Sequence, residues 1–186
     1  MPLPIGHALA GIAMRQIRPA LFFTNRWSDA LFFVFLANLP DADFLPGFLL
    51  GRPNLYHHGI FHSLGAAVAT AIIGGGIFYR QHKNFRAASG IIFLIYCGHL
   101  LLDLFALDFV APYGLPLFWP FSERYFIAAR PVFLNVARSR HSRDFFASLF
   151  SSHNLEAALR EIAILGGLTL AVVLLRRWLQ GRRSSR

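Results

Sequence analysis

The chain has 186 residues, of which 55% are hydrophobic and only 15% charged, with 20 phenylalanines and a formal net charge of +9. The length suits one domain, and the apolar excess falls in blocks, which excludes an ordinary soluble globule and points to an integral membrane protein. Basic residues flank the blocks instead of interleaving with aromatics on a polar face, so they read as orientation signals and lipid contacts, and no nucleic-acid partner is expected.

The first apolar segment, about Ile5 to Met14, is short, and the stretch before it has neither a basic region nor a small-residue cleavage site. No removable signal peptide is expected there. The second segment runs from about Ala30 to Leu39 and resumes from Phe44 to Leu50 after an acidic break, "NLPDADFLPG". Pro40 and Pro46 bracket Asp41 and Asp43 and are expected to end the second helix. The third segment covers about Gly59 to Tyr79, the fourth about Ala87 to Val110 and the fifth about Leu155 to Trp178. A bilayer-crossing helix needs ~20 residues, so the last three are predicted to span and the first two to be partly embedded or re-entrant. Gly74, Gly75 and Gly76 read as close helix packing. Cys97, the only cysteine, sits in an apolar run and reads as packing, and it excludes a cysteine-cluster metal site. From Ala111 to Asn154 the chain is broken by Pro112, Pro116, Pro120 and Pro131 and carries Arg124, Arg130, Arg138, Arg140 and Arg143. Pieces of it are expected to lie as amphipathic helices in the interface, their arginines near lipid headgroups.

The predicted fold is all-α, an integral membrane bundle of about four to five apolar helices with an irregular, partly amphipathic region before the last. It forms one domain over 1–186, with a motif-bearing core at about 3–125, an interfacial region at about 111–154 and a last membrane helix at about 155–178. Three basic groups, Arg15, Arg18 and Arg26, then Arg80, Lys83 and Arg86, then Arg176, Arg177, Arg182, Arg183 and Arg186, are expected to face the cytoplasm. The five arginines of the long loop run against that orientation. With it, His7, Asp41, Asp43, His57, His58, His62, His99 and Asp103 all fall at the outer end of their segments.

These residues carry the candidate chemistry. In "YHHGIFHSL", His58 and His62 are four apart and share a face if the helix has begun, with His57 able to turn inward. In "GHLLLDLF", His99 and Asp103 are four apart on an otherwise apolar helix, and such a pair inside a membrane is a functional hypothesis by default. Imidazoles and carboxylates without thiolate suit zinc, with manganese or iron as alternatives. Two arrangements stay open: two ions with Asp41 or Asp43 bridging, or one ion with outer carboxylates orienting the imidazoles. Either His57 or His58 serves as ligand. A metal with an open position makes hydroxide available near pH ~7, and Asp41, Asp43 or Asp103, where not a ligand, is a candidate general base. Ser63 reads as a cap. His82, His141 and His153 read as surface histidines, and Asp29, Asp144, Glu156 and Glu161 as solvated or helix-terminal charges. Asp108 and Glu123 lie close in sequence to the cluster without an assigned role.

The order "GHALAG", "NLPDADFL", "HHGIFHSL", "GHLLLDLF" and then "APYGLPLFWPFS" resembles the YdjM-like family over roughly residues 3 to 125. Its members are described as inner-membrane-associated, metal-dependent hydrolases, and the family is similar to the helical, zinc-dependent phospholipase C group. The resemblance implies His7, Asp41, Asp43, His57, His62, His99 and Asp103 as ligands, and places Tyr113, Gly114, Trp119 and Pro120 near the site. The chain departs from the family pattern at His58, where arginine is usual, and at Phe61, where a small residue such as threonine is usual. The reading is a multi-pass inner-membrane hydrolase binding one or two divalent ions. Its site is on the outer, periplasmic side, and it acts on a phosphoester or ester of a membrane lipid or lipid-linked substrate. The alternatives are a metal or proton transporter, and a non-catalytic membrane protein with a structural metal.

Overall fold

The computed structural model describes residues 1–19, 21–82, 84–109 and 113–184. Helix α1 spans Pro4–Arg15, α2 Arg26–Asn38, α3 Phe44–Leu49, α4 Leu64–His82 and α5 Phe85–Leu104. Helices α6, Ser142–Ser148, α7, Ser152–Glu161, and α8, Gly167–Ser184, complete the chain. No strand occurs among the described residues; only isolated bridges pair Ala106 with Phe133 and Leu115 with Phe126. The fold is all-helical, as predicted.

Local chemistry sets the helix ends. Asn25 caps α2 by accepting from the backbone N–H groups of Trp27 and Ser28. The acidic break does not end the second segment: Leu39–Asp43 tightens into a 3-10 turn, which tolerates Pro40 in its first positions, and α3 follows directly. Residues Arg26–Leu49 therefore form one run long and apolar enough to cross a membrane, as do Phe85–Leu104 and Ser152–Arg182. This corrects the expectation that the second segment is too short. The third is the short one: its apolar helix covers only Leu64–Tyr79, because Ser63 caps α4, its hydroxyl accepting from the Ala66 N–H at 3.1 Å. The last span is continuous from α7 through a π turn at Ile162–Gly166 into α8.

Helices α4 and α5 pack most extensively, and α1 packs on α2, α5 and α8. A β-carbon on Gly74 would lie 2.5 Å from Ile92 Cδ1, so that part of the glycine run does serve close packing. Helix α1 and the last span run side by side in the same direction: Leu3 N–H donates to Glu161, Thr169 Oγ1 to Leu9 O, and Arg176 to Gln16. The N-terminus of α1, the C-termini of α2 and α5 and the start of α4 meet at one end of the bundle. Arg15, Arg176 and the start of α5 mark the other. Between the ends lies an apolar layer including Phe22, Phe33, Phe78, Ile91, Ile92 and Ile95.

Two charges expected to be solvated are buried. Asp29 is 0% exposed, lies 2.7 Å from Arg15 Nε, and accepts from the backbone of Phe22 and Phe23. Glu161 is 1% exposed and holds the start of α1 through Leu3 N–H at 2.8 Å. In both, burial is offset by the partners that the fold brings to the carboxylate. Asp144 and Glu156 are exposed, as expected.

Candidate metal centre

Four elements bring the motif residues together. His7 comes from α1, Asp41 and Asp43 from the 3-10 turn after α2, and His57, His58 and His62 from the turn before α4. His99 and Asp103 come from the last turns of α5. All eight expected residues gather at the same end of the bundle, and His7, Asp43, His62, His99 and Asp103 are essentially inaccessible. One expectation changes: His58 and His62 do not share a helix face, since both precede α4. The turn is held by Gly59 N–H to Tyr56 O and His62 N–H to Gly59 O. His58 adopts φ of +60°, a left-handed conformation uncommon outside glycine, which carries its ring toward His57 and His62.

The spacing at the centre is close to that of a ligand shell. His62 Nε2 and His99 Nε2 lie 3.3 Å apart. Asp103 Oδ2 is 3.0 Å from His99 Nε2 and 3.3 Å from His62 Nε2. Asp41 Oδ1 is 3.6 Å from His62 Nε2 and 3.7 Å from His99 Nε2. Tetrahedral ligands at ordinary zinc–nitrogen and zinc–oxygen lengths stand roughly 3.3–3.6 Å apart. His7, stacked on His99 at 3.8 Å, brings Nε2 to 3.5 Å from Asp103 Oδ1. Groups of His62, His99 and Asp103, of His7, Asp41 and His99, of Asp41, Asp43 and His57, and of His57, His58 and His62 each converge to ligand distances.

The outer bonds fix which atoms face inward. His99 Nδ1 lies 2.7 Å from Ala37 O, a carbonyl that only an N–H can satisfy, so Nε2 is the nitrogen turned to the cluster. Asp43 sits between two imidazoles, with Oδ2 2.9 Å from His62 Nδ1 and Oδ1 3.1 Å from His57 Nδ1. That leaves His57 Nε2 buried without a hydrogen bond, together with both oxygens of Asp41, both of Asp103 and both nitrogens of His7. Among the described residues, the ion pairs of Asp41, Asp43 and Asp103 are all with imidazoles, and no lysine or arginine reaches them. Burial pulls the pKa of His7 and His57 below the usual value and that of His58 down to about 4. These rings are therefore neutral at pH 7 and offer little to balance three buried carboxylates. Orphaned acceptors, a carboxylate excess and oxygen–imidazole donors together fit a divalent cation.

Sequence left Asp108 and Glu123 without a role, and the resemblance placed Tyr113, Gly114, Trp119 and Pro120 near the site. Asp108 lies 3.4 Å from His58 Nδ1 and accepts from Gly114 N–H at 2.9 Å, which ties the loop of Tyr113 and Gly114 to the cluster. Trp119 packs its carbonyl against Gly65 at the start of α4. Glu123 is exposed. His153 bonds Asn135 O and His141 is exposed, and neither joins the cluster; the side chain of His82 lies outside the described residues.

An all-helical fold with, among the described residues, three helices long and apolar enough to cross a bilayer and a buried histidine–aspartate cluster at one end defines a membrane protein with a candidate metal centre. The chain belongs to the YdjM inner membrane protein family, whose model matches residues 1–180. No curated protein and no solved structure matches it. The family match extends well beyond residue 125, where the motif resemblance ends.

Proposed function

We propose that the chain is a membrane-bound, metal-dependent hydrolase acting on a phosphoester or ester of a lipid at the membrane interface. The observation that carries this is the convergence of His62 Nε2, His99 Nε2, Asp103 Oδ2 and Asp41 Oδ1 at ligand spacing beside an open cavity lined by His58 and Asp108. His62, His99 and Asp103 would hold one divalent ion, most simply zinc, with Asp41 left beside it. His57 and His58, with Asp41 or Asp43, offer a second position. A divalent ion there supplies Lewis acidity and makes hydroxide available near pH ~7.

The chain's own groups divide the remaining work. Asp43 orients His57 by accepting at its Nδ1 and lies 2.9 Å from His62 Nδ1 as an ion pair, and Ala37 O orients His99. Asp41 turns Oδ1 to the imidazoles, and its Oδ2, without a hydrogen bond, takes the proton of the attacking water. The water oxygen would bond to the phosphoryl or acyl centre as the bond to the leaving oxygen breaks, and that oxygen would take up the proton that Asp41 received, leaving as the alcohol. Arg15, Arg176 and Arg177 at the opposite end favour a cytoplasmic placement for that end, so the centre faces the periplasm in a multi-pass arrangement.

The test is hydrolysis of phospholipids and polyprenyl phosphates by purified protein, with bound metal measured alongside. His99→Ala and Asp41→Asn should each lower turnover by about 100-fold or more and reduce ion content, as loss of metal-site groups does elsewhere. Undiminished turnover in both variants, or active protein free of metal, would reject the assignment.

A further inference from the structure

Two cavities meet beside the cluster, and they differ in chemistry. The larger, about 610 Å³, is lined by Arg52, Asn54, His58, Asp108, Arg138 and Arg140 among others. The smaller, about 420 Å³, includes Pro46, Leu55, Tyr56, Ile60, Phe61 and Tyr125. His58 and Leu55 line both. Three arginines thus line the larger space against one carboxylate, Asp108, which already lies 3.4 Å from His58 and accepts from Gly114 N–H. Among the described residues, no carboxylate comes within ion-pair distance of Arg52, Arg138 or Arg140.

Arg138 is held in place from several sides. Its Nε donates to Asn54 Oδ1 at 2.9 Å and its guanidinium lies 5.1 Å from the Phe44 ring centre. The preceding residue is clamped by the Asn154 side chain, which is 2% exposed as a residue. Asn154 Oδ1 accepts from Ala137 N–H at 2.8 Å, and Asn154 Nδ2 donates to Ala137 O at 2.7 Å. Ser142 N–H donates to Gly51 O, and the Ser142 hydroxyl to Phe48 O, which stitches the arginine-bearing stretch to the loop that carries Arg52. Like charges facing one cavity repel, so a fold that fixes them there gains most from an anion between them. The planar fork of arginine matches phosphate oxygens two at a time.

We propose that the arginine-lined cavity is a phosphate-binding subsite that holds the anionic group of a phosphate-bearing lipid, with the neighbouring apolar cavity taking the adjoining chain. Arg52, Arg138 and Arg140 contact the phosphate oxygens, and the lipid passes His58 to reach the apolar side. As a substrate subsite this rests on the hydrolase reading, and it makes the cleaved bond a phosphoester. As a binding site it stands by itself.

The test uses full-length protein in neutral detergent, stripped of metal by a chelator so that no turnover occurs. Binding of dihexanoyl phosphatidic acid, dihexanoylglycerol and inorganic phosphate is measured by calorimetry. The phosphatidic acid should bind, the neutral glyceride at least roughly tenfold more weakly, and Arg138→Gln and Arg140→Gln should each weaken the phosphate-bearing lipid about tenfold. Arg143→Gln, on the exposed face of α6, should leave binding unchanged. Arg140 is exposed and makes no ion pair among the described residues, so its variant reports on the subsite even if Arg138→Gln misfolds. Wild-type binding in the folded arginine variants, or equal binding of the glyceride, overturns the proposal. Inorganic phosphate binding as tightly as the lipid overturns the part assigned to the apolar cavity. Because the readout needs neither metal nor turnover, failure of the hydrolase reading and failure of this subsite give different results.

Discussion

His62 is pulled in two directions. Burial lowers its pKa, but Asp103, Asp41 and Asp43 around its two nitrogens outweigh that and hold it well above the usual histidine value. Without an ion it is an imidazolium at neutral pH, and a cation ligated through Nε2 must displace its proton. His57 and His58 lie on the other side: burial keeps both low, His58 at about 4, so they ligate at pH 7 without releasing anything. Loading a divalent ion at pH 7 should therefore release about one proton per ion held by His62, and affinity should rise with pH until the His62 value is passed. Calorimetry in two buffers of different ionisation enthalpy measures this; loading without proton release at pH 7 contradicts ligation by His62. Most of the site was legible at this scale, because each of the eight ligand candidates lies in a short motif whose polar residues interrupt an apolar run. The charges outside those motifs were not. Asp29 and Glu161 look like surface charges until the backbone N–H groups that face them are known. Arg138 meets Asn54 across 84 residues of sequence, a distance over which local pattern carries no information.

Helices hold the ligands in register through a few close approaches. A β-carbon on Gly11 of α1 would lie 2.7 Å from Phe33 O and 3.0 Å from Ala37 Cβ on α2. Ala37 also supplies the carbonyl that orients His99, so spreading α1 from α2 disturbs the candidate ligand His99 and the His7 ring stacked on it at once. Gly11→Ala should cost about 1–3 kcal/mol through this overlap and lower ion retention. Gly76→Ala, on α4 with nothing within 4 Å of its β-carbon, should be neutral or stabilising by up to about 1 kcal/mol. Thermal unfolding in detergent with metal analysis separates the two; equal stability of both variants would show that the α1–α2 contact does not set the site. Helix α1 began and ended close to where its apolar run does; α5 began close to its own but stopped at Leu104, short of the expected Val110, which lies outside the described residues. The start of α4 did not match its apolar run, because hydropathy continues through Gly59 to Phe61 while the Ser63 cap and the left-handed His58 end the helix from the other side. The acidic break misled in the opposite sense: two prolines suggested a stop, and a 3-10 turn carried the helix axis onward.

Across the whole molecule, the fold class and the single-ended gathering of polar groups were readable from block hydropathy and basic flanks. Among the described residues the helices long and apolar enough to cross were also three, but with the second segment in place of the third. The arrangement of the last span beside α1 was not readable, since it rests on Glu161, Thr169 and Arg176 finding partners near the start of the chain. The layer of Phe22, Phe33, Phe78, Ile91, Ile92 and Ile95 separates the ligand end from the basic end. If that layer is closed, an ion held by the cluster would exchange with the ligand-end compartment alone. In closed vesicles of a single protein orientation, an impermeant chelator should strip the ion from the ligand-end compartment and leave it untouched from the other. Equal stripping from either compartment would mean that the phenylalanine layer leaks, and that the molecule conducts the ion across the membrane.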